Sequence, residues 1–382
     1  MNPADPKTLD REALDGDLLA WIGEARWQHD DDRFGALALR LFAHQFECCA
    51  PYARFARGRG LTPESVEDWR EIPAVPTGGF KELALRGFPR ARTIKTFRTS
   101  GTSGQKAGEL HLDTLALYEA SLLSSLATLL LPGHLAGSDA SASIRIRVLA
   151  PSAAEAPHSS LSHMFEVLLE RFGSPASGFD VLGGQLQTEA LLGHLEAAET
   201  DGEPVLLCGT AFAFVHLLED LEARGRALRC PTGSSIMDTG GFKGRSREMP
   251  REELYAALTR RLGVPASHIV NQYGMTELGS QFYDSVRVDP GGPRRKLGPP
   301  WARVRFLDPE SDREVRPGEA GMVVIHDLAN TGSVSAIQTA DLGRAILDPG
   351  GAPIGFEILG RHPGAEARGC SIAADEMLTS PA

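Results

Sequence analysis

One pattern recurs through the middle of the chain and limits the fold more than any other. It is an apolar run, a short turn, then an amphipathic helix. "EPVLLCGTAFAFVHLLEDLEARG" reads as strand, turn and helix. "ASIRIRVLAP" alternates and then becomes fully apolar, as a half-buried strand does. "REELYAALTRRLGV" is helical by its period, and "HIVNQYGMTE" is a short strand running into a loop. Parallel strands need a crossover of a dozen or more residues, which a helix supplies. The rhythm therefore predicts an α/β fold with a largely parallel sheet covered on both faces.

The flanks differ. Residues 10–60 read as helical, with Phe34, Leu37, Leu41 and His44–Gln45 in a helical period and Leu39, Phe42 and Phe46 widening the apolar face. "LTPESVEDW" offers Thr62 as an N-cap and Pro63 as the first helical residue. "EIPAVPTGGFKE" breaks the helical pattern, and a further helix is expected from Thr114 to Leu131. Past Gly298, short alternating strands separated by Pro, Gly and Asp predict a small antiparallel β subdomain. The expected organisation is a helical region over 1–95, an α/β core over 96–297, the β subdomain over 298–361 and a loosely held tail over 362–382. A chain of 382 residues that is 42% hydrophobic can bury such a core.

Charge and cysteines narrow the function. A net charge of −11 argues against a general nucleic-acid binder, which needs a basic surface. Cys48, Cys49, Cys208, Cys230 and Cys370 form neither a disulfide framework nor paired CxxC zinc units. A reducing, cytoplasmic setting is expected, with no secretory signal in "MNPADPKTLDREALDG" and no membrane span.

The chemistry gathers in "FRTSGTSGQKAG". Thr99, Ser100, Thr102 and Ser103 surround Gly101 and Gly104, and Lys106 follows. Hydroxyls and glycine amides are neutral donors that wrap phosphate oxygens, and a lysine adds charge. The loop is read as leading into a helix, whose N-terminal dipole favours anions. The glycine spacing is not that of a Walker loop, and no dinucleotide fingerprint is present.

This loop resembles the phosphate-binding loop of the acyl-adenylate-forming superfamily, which includes acyl-CoA ligases and peptide-synthetase adenylation domains. "NQYGMTE" resembles that superfamily's aromatic-Gly-x-Thr-Glu motif. The resemblance implies that Tyr273 stacks on adenine, Thr276 contacts the α-phosphate and Glu277 holds Mg²⁺. A flat aromatic suits a purine face, and a carboxylate suits a hard cation that also bridges phosphates. "MDTGGFKG" sits where the family places glycines against the other adenine face, which makes Gly240 and Gly241 candidates. "TADLGR" resembles the superfamily's T-G-D-L-G-R block, so Asp341 would accept from both ribose hydroxyls. Arg361 in "ILGR" matches an arginine near ribose and α-phosphate.

Most superfamily members continue into a mobile C-terminal domain whose lysine assists adenylation. This sequence ends at Ala382, so that domain and lysine are expected to be missing, with Lys106, Lys243 or Arg361 as substitutes. One short branch, the acyl-protein synthetases of bacterial luminescence, is similar from about Leu61 to Ser371, through "IPAVPTGGFKE", "YGMTELGSQFYD", "PPWARVRFLDP" and "RGCS". Its members activate a fatty acid as acyl-adenylate, load it on a cysteine near the C-terminus and pass it to a reductase. The matching residue is Cys370, beside Gly369 and two positions from Arg368, which favours the thiolate. A thiolate is a suitable nucleophile for the mixed anhydride of an acyl-adenylate. Two alternatives stay open: a ligase that delivers the acyl group to CoA or a carrier protein, and a non-catalytic nucleotide-binding scaffold. His111 and Asp113 are further candidates for orienting the phosphate loop, and Phe212, Phe214 and Val215 for lining an acyl pocket.

Overall fold

The computed structural model describes residues 6–24, 27–99, 106–132, 143–240 and 249–362. It divides into two compact units, Met1–Ser124 with Gly274–Gln281 and Gly298–Ala382, and Ser125–Tyr273 with Phe282–Leu297.

The second unit contains the predicted parallel sheet. Ile269–Tyr273, Ser235–Thr239, Val205–Thr210, Arg145–Leu149 and Gly178–Phe179 lie side by side in that order, all parallel. Phe282–Asp284 and then Lys296–Leu297 extend it antiparallel beyond Ile269–Tyr273. The helix Ala211–Ala223 follows its strand without a turn, because Thr210 is itself the N-cap and its hydroxyl accepts from Ala213 N at 3.2 Å. Phe214, Val215, Leu217, Leu258, Leu195 and Ile236 form one core cluster. Phe214 and Val215 thus belong to this core rather than to an acyl pocket.

The strand Arg145–Leu149 departs from the half-buried reading, since all five residues are buried. Both arginines are paired, Arg147 with the buried Asp180 and Arg145 with two carboxylates at the surface. Arg147 Nε donates to Asp180 Oδ2 at 2.9 Å, and Arg145 Nη2 donates to Asp201 and Glu203 at 2.8 Å each. Alternating charge therefore marks paired buried cations here, not a solvated face.

The first unit begins with three helices, Pro6–Ile22, Asp31–Cys48 and Ala50–Gly58. Asp30 caps the second through Arg33 N at 2.9 Å, and Phe34, Leu37, Leu41 and Phe42 form its buried face. No helix starts at Thr62. Thr62 N instead donates to Ser65 Oγ at 2.9 Å, and the cap role passes to Asp68, which forms a capping box on the single turn Trp69–Glu71. The predicted helix from Thr114 is α-helical over Ala116–Ser125 and continues as a π-helical turn over Leu126–Leu130. Among the described residues, no helix is long and apolar enough to cross a membrane.

The antiparallel strands past Gly298 are Ala302–Leu307, Gly321–Asp327, Ala336–Leu347 and Pro353–Arg361, paired in that order, and Val75–Pro76 joins Ala336–Leu347 in parallel. Gly343 permits the close approach at the bulge, where a Cβ would lie 2.7 Å from Glu357 O and 2.8 Å from Val323 Cγ2.

Inside this unit the imidazole of His326 meets the Trp69 ring edge-on, with centroids 5.0 Å apart. Burial, helped by Arg305 and Arg70, pulls His326 from 6.5 down to about 3. A base depressed in the folded state contributes stability that is complete above its unfolded pKa of 6.5 and is lost as pH falls toward 3. Between pH 7 and pH 4.5 the loss from this group is about 2–3 kcal/mol. Unfolding free energies from urea titrations at the two pH values should differ less by that amount in His326→Gln than in wild type. An unchanged pH dependence in the variant rules this role out.

Candidate active site

Sequence candidates fall into three groups: those in the second unit, those in the first, and those beyond the described residues. Ser100, Gly101, Thr102, Ser103, Gly104, Gly241, Lys243 and Cys370, with Arg368 and Gly369 beside it, lie outside the described residues.

In the second unit, Gly240 and Tyr273 come together. Their strands are parallel neighbours in register, with Thr239 opposite Gln272, so both candidates follow at the C-terminal ends. Thr239 Oγ1 also donates to the Gln272 side chain and cross-links the two ends. Gly240 has φ +74°, a left-handed conformation that favours glycine and turns the chain sharply off the strand. Tyr273 is half-buried, its ring tilted against Phe282 at 6.2 Å. In open α/β sheets, ligands bind at the carboxyl ends of strands.

In the first unit, Thr276 and Glu277 lie on the turn that follows. The turn is clamped from the adjacent β structure. Asp327 Oδ2 accepts from Gly279 N at 2.8 Å and Ser280 N at 2.7 Å, and Oδ1 accepts from Ser280 Oγ at 2.7 Å and Ala329 N at 3.1 Å. Burial pushes the Asp327 carboxyl up, and these donors hold it back. Asn330 Nδ2 donates to Glu277 O at 2.9 Å, fixing the backbone independently of the carboxylate. Asn330 is tied in turn, since Gln45 Nε2 donates to Asn330 O at 3.0 Å and Gln45 Oε1 accepts from Ser335 N. Ser280 Oγ also meets Ser121 Oγ at 2.9 Å, to which Trp301 Nε1 donates at 2.8 Å. Glu277 is 5% exposed, while Thr276 is half-buried.

Asp341 and Arg361 are register partners on adjacent antiparallel strands, with Arg361 Nε 3.9 Å from Asp341 Oδ1. The guanidinium is 66% exposed, so the pair adds little stability and leaves charged groups facing solvent. Asp341 N donates to Thr339 Oγ1 at 3.0 Å, which sets the local backbone.

Both feet of the Ser/Thr/Gly loop are locked. Thr99 N donates to Gly108 O at 2.9 Å, and Gly108 N donates to Thr99 Oγ1 at 2.8 Å. They end the hairpin Lys95–Arg98 and Glu109–Leu112, so a strand and not the expected helix N-terminus follows the loop, and the next helix begins at Ala116. Lys106 is exposed and lies 3.5 Å from Glu82. His111 Nδ1 is 3.1 Å from Thr96 Oγ1 across the hairpin, and burial lowers its pKa, so the ring is neutral at pH 7. Asp113 is engaged by Arg11 at 2.9 Å and 2.8 Å.

Burial raises Cys49 to about 11 and Cys230 to about 12, and it raises Cys208 as well. All three are protonated at neutral pH and suited to packing rather than attack. Among the described residues, no group of three or more His, Cys, Asp or Glu could hold a metal ion. Glu277 alone still fits Mg²⁺, which usually takes one or two protein carboxylates and completes its shell with substrate phosphates and water. Asp327, Asn330 and Gln45 escaped sequence reasoning, because their partners lie far away in the chain.

A family model described as acyl-protein synthetase, LuxE, matches residues 7–379. The long-chain-fatty-acid–luciferin-component ligase of Vibrio harveyi is 21% identical over 332 residues, covering 86% of this chain and 84% of that one. The protein of the same name from Aliivibrio fischeri is 24% identical over 206 residues, covering 52% of this chain and 53% of that one. Among solved structures, 2-hydroxyisobutyryl-CoA ligase in its postadenylation state with 2-HIB-AMP aligns at TM-score 0.59 and 16% identity, over 94% of this chain and 72% of that one. Its open conformation aligns at TM-score 0.58 and 15% identity, covering 94% and 79%. That likeness establishes the α/β fold of the acyl-adenylate-forming enzymes. The match over nearly the whole length places the chain in the acyl-protein synthetase family, LuxE, and with it among the AMP-forming ligases.

Proposed function

We propose that the protein activates a carboxylic acid, a long-chain fatty acid by analogy with the relatives' names, to acyl-AMP and then transfers the acyl group to Cys370. The observation that carries the reading is the seating of Gly240 and Tyr273 side by side at the ends of parallel strands, where an adenine ring can lie. Asp341 accepts from the ribose hydroxyls, and Arg361 faces the α-phosphate. Thr276 donates to an α-phosphate oxygen. The loop Thr99–Gly104 and Lys106 cradle the outer phosphates. Mg²⁺ held by Glu277 would offset charge on the phosphate oxygens when bound.

The first step forms a bond between the acid's carboxylate oxygen and the α-phosphorus of ATP. The bond to the bridging oxygen breaks, and pyrophosphate leaves. In the second step the Cys370 thiolate attacks the acyl carbon, AMP leaves as the anion, and a thioester remains. Onward transfer goes to a partner thiol, on an acyl-accepting reductase or carrier protein.

Acid-dependent ATP–pyrophosphate exchange, tested with long-chain, short-chain and aromatic acids, reads the first step. Mass spectrometry after incubation with ATP and the active acid reads the second. A covalent acyl adduct on wild type that disappears in Cys370→Ala is expected, with exchange intact in the variant. Thioester formed only on added CoA or carrier protein assigns the acceptor elsewhere, and exchange with no acid leaves a nucleotide-binding scaffold.

A further inference from the structure

A grip on a flat base demands strand ends that do not shift. The second unit contains a polar network that meets this demand and that the proposed chemistry does not use. Lys296 Nζ donates to Asn271 O at 2.7 Å and to Asn271 Oδ1 at 2.5 Å, and it lies 2.8 Å from Asp284 Oδ1. An ammonium has three donors, and all three are engaged. Asp284 Oδ2 accepts from Asn271 N at 3.0 Å and from Arg294 Nη1 at 2.6 Å. Asn271 Nδ2 donates to Asp238 Oδ2 at 2.9 Å, and Tyr255 OH donates to Asp238 Oδ1 at 2.7 Å.

The network spans four adjacent strands, and Lys296, Asp284, Asn271 and Asp238 are all buried. Stability alone does not account for it. Apolar residues of similar volume often serve a buried core as well as an ion pair does, or better. What apolar packing cannot do is fix register by directed bonds. Asn271 stands two residues before Tyr273, and Asp238 two before Gly240, so the Asn271–Asp238 bond lies directly behind both candidates. Lys296 and Asp284 grip Asn271 from the opposite side, at its side chain and at both of its backbone groups.

We propose that Lys296 and Asp284 are positioning residues for nucleotide binding, which set the strand ends bearing Gly240 and Tyr273 and so govern affinity for the adenine nucleotide. This rests on the reading that those two residues hold adenine. Lys296 does not itself touch phosphate, because its donors are spent inside the sheet.

Titration calorimetry with ATP on the full chain tests it, alongside melting temperatures and the KM of the acid in exchange. Lys296→Met is expected to weaken ATP binding about tenfold or more with the KM of the acid within twofold of wild type. Tyr255→Phe removes one hydroxyl donor and keeps the ring; it is expected to weaken ATP binding a few-fold and decides the matter if Lys296→Met does not fold. A network that served only stability would lower the melting temperature and leave the ATP affinity of the folded protein unchanged. Tyr273→Ala serves as the reference. If it weakens ATP binding while folded Lys296→Met and Tyr255→Phe bind as wild type does, the positioning role is wrong and the adenine assignment stands. If Tyr273→Ala binds like wild type, or wild type binds no ATP, the adenine assignment fails and takes this proposal with it.

Discussion

Glu277→Gln should lower acid-dependent ATP–pyrophosphate exchange by about 10²- to 10³-fold while the protein stays folded. The change is one oxygen to one NH₂, so shape is kept and charge is lost. A hard divalent cation prefers an anionic oxygen, and an amide supplies only a neutral one. Removing one charge-stabilising group from a phosphoryl-transfer site costs roughly 3–4 kcal/mol of barrier, which is the stated range of rates. The turn should survive, because Asn330 Nδ2 holds the Glu277 carbonyl rather than its carboxylate. Exchange measured across a Mg²⁺ series should show a higher Mg²⁺ requirement together with the lower maximum. Wild-type exchange at every Mg²⁺ concentration would remove Glu277 from the metal role.

Much of the fold was written locally. The apolar run Val205–Cys208, the hydroxyl of Thr210 and the apolar face of Ala211–Ala223 follow one another within a short stretch, so strand, cap and helix could be read in order. Thr62–Pro63 failed for an equally local reason. Two cap formers competed, and Asp68 with Glu71 made the reciprocal box while Thr62 spent its amide on Ser65. The arginines of Arg145–Leu149 misled because burial of a cation depends on acids elsewhere, here Asp180, Asp201 and Glu203.

The candidate site divides in the same way. Tyr273, Thr276, Glu277 and Asp341 stand inside short motifs whose resemblance to the superfamily's motifs shows in the string itself. The residues that hold those motifs do not. Gln45 and Asn330 are separated by 285 positions, and Asp327 reaches Ser280 across 47. No spacing rule links a helix glutamine to a distant loop asparagine. Lys296 likewise reads as one more base in "PRRKLG" until the sheet brings it onto Asn271.

That dependence makes Asp327 the largest expected stability effect. Asp327→Ala removes the acceptor of Gly279 N, Ser280 N, Ser280 Oγ and Ala329 N together. Each buried donor left without a partner costs about 1–3 kcal/mol, partly recovered if water enters the space. A net loss of about 4 kcal/mol is expected, the low end of the sum over four such donors. Asp327→Asn keeps one acceptor oxygen but turns an NH₂ toward donors, so about half that loss is expected. Urea titration gives both values, and an unchanged slope with a lowered midpoint shows that stability alone moved. Because Gly279 and Ser280 follow Glu277 directly, the surviving folded fraction of Asp327→Ala should also exchange about tenfold more slowly, with the turn no longer pinned. An alanine variant that loses under 1 kcal/mol and exchanges at the wild-type rate would show that the turn is held by its other contacts, Asn330 and Ser121 foremost.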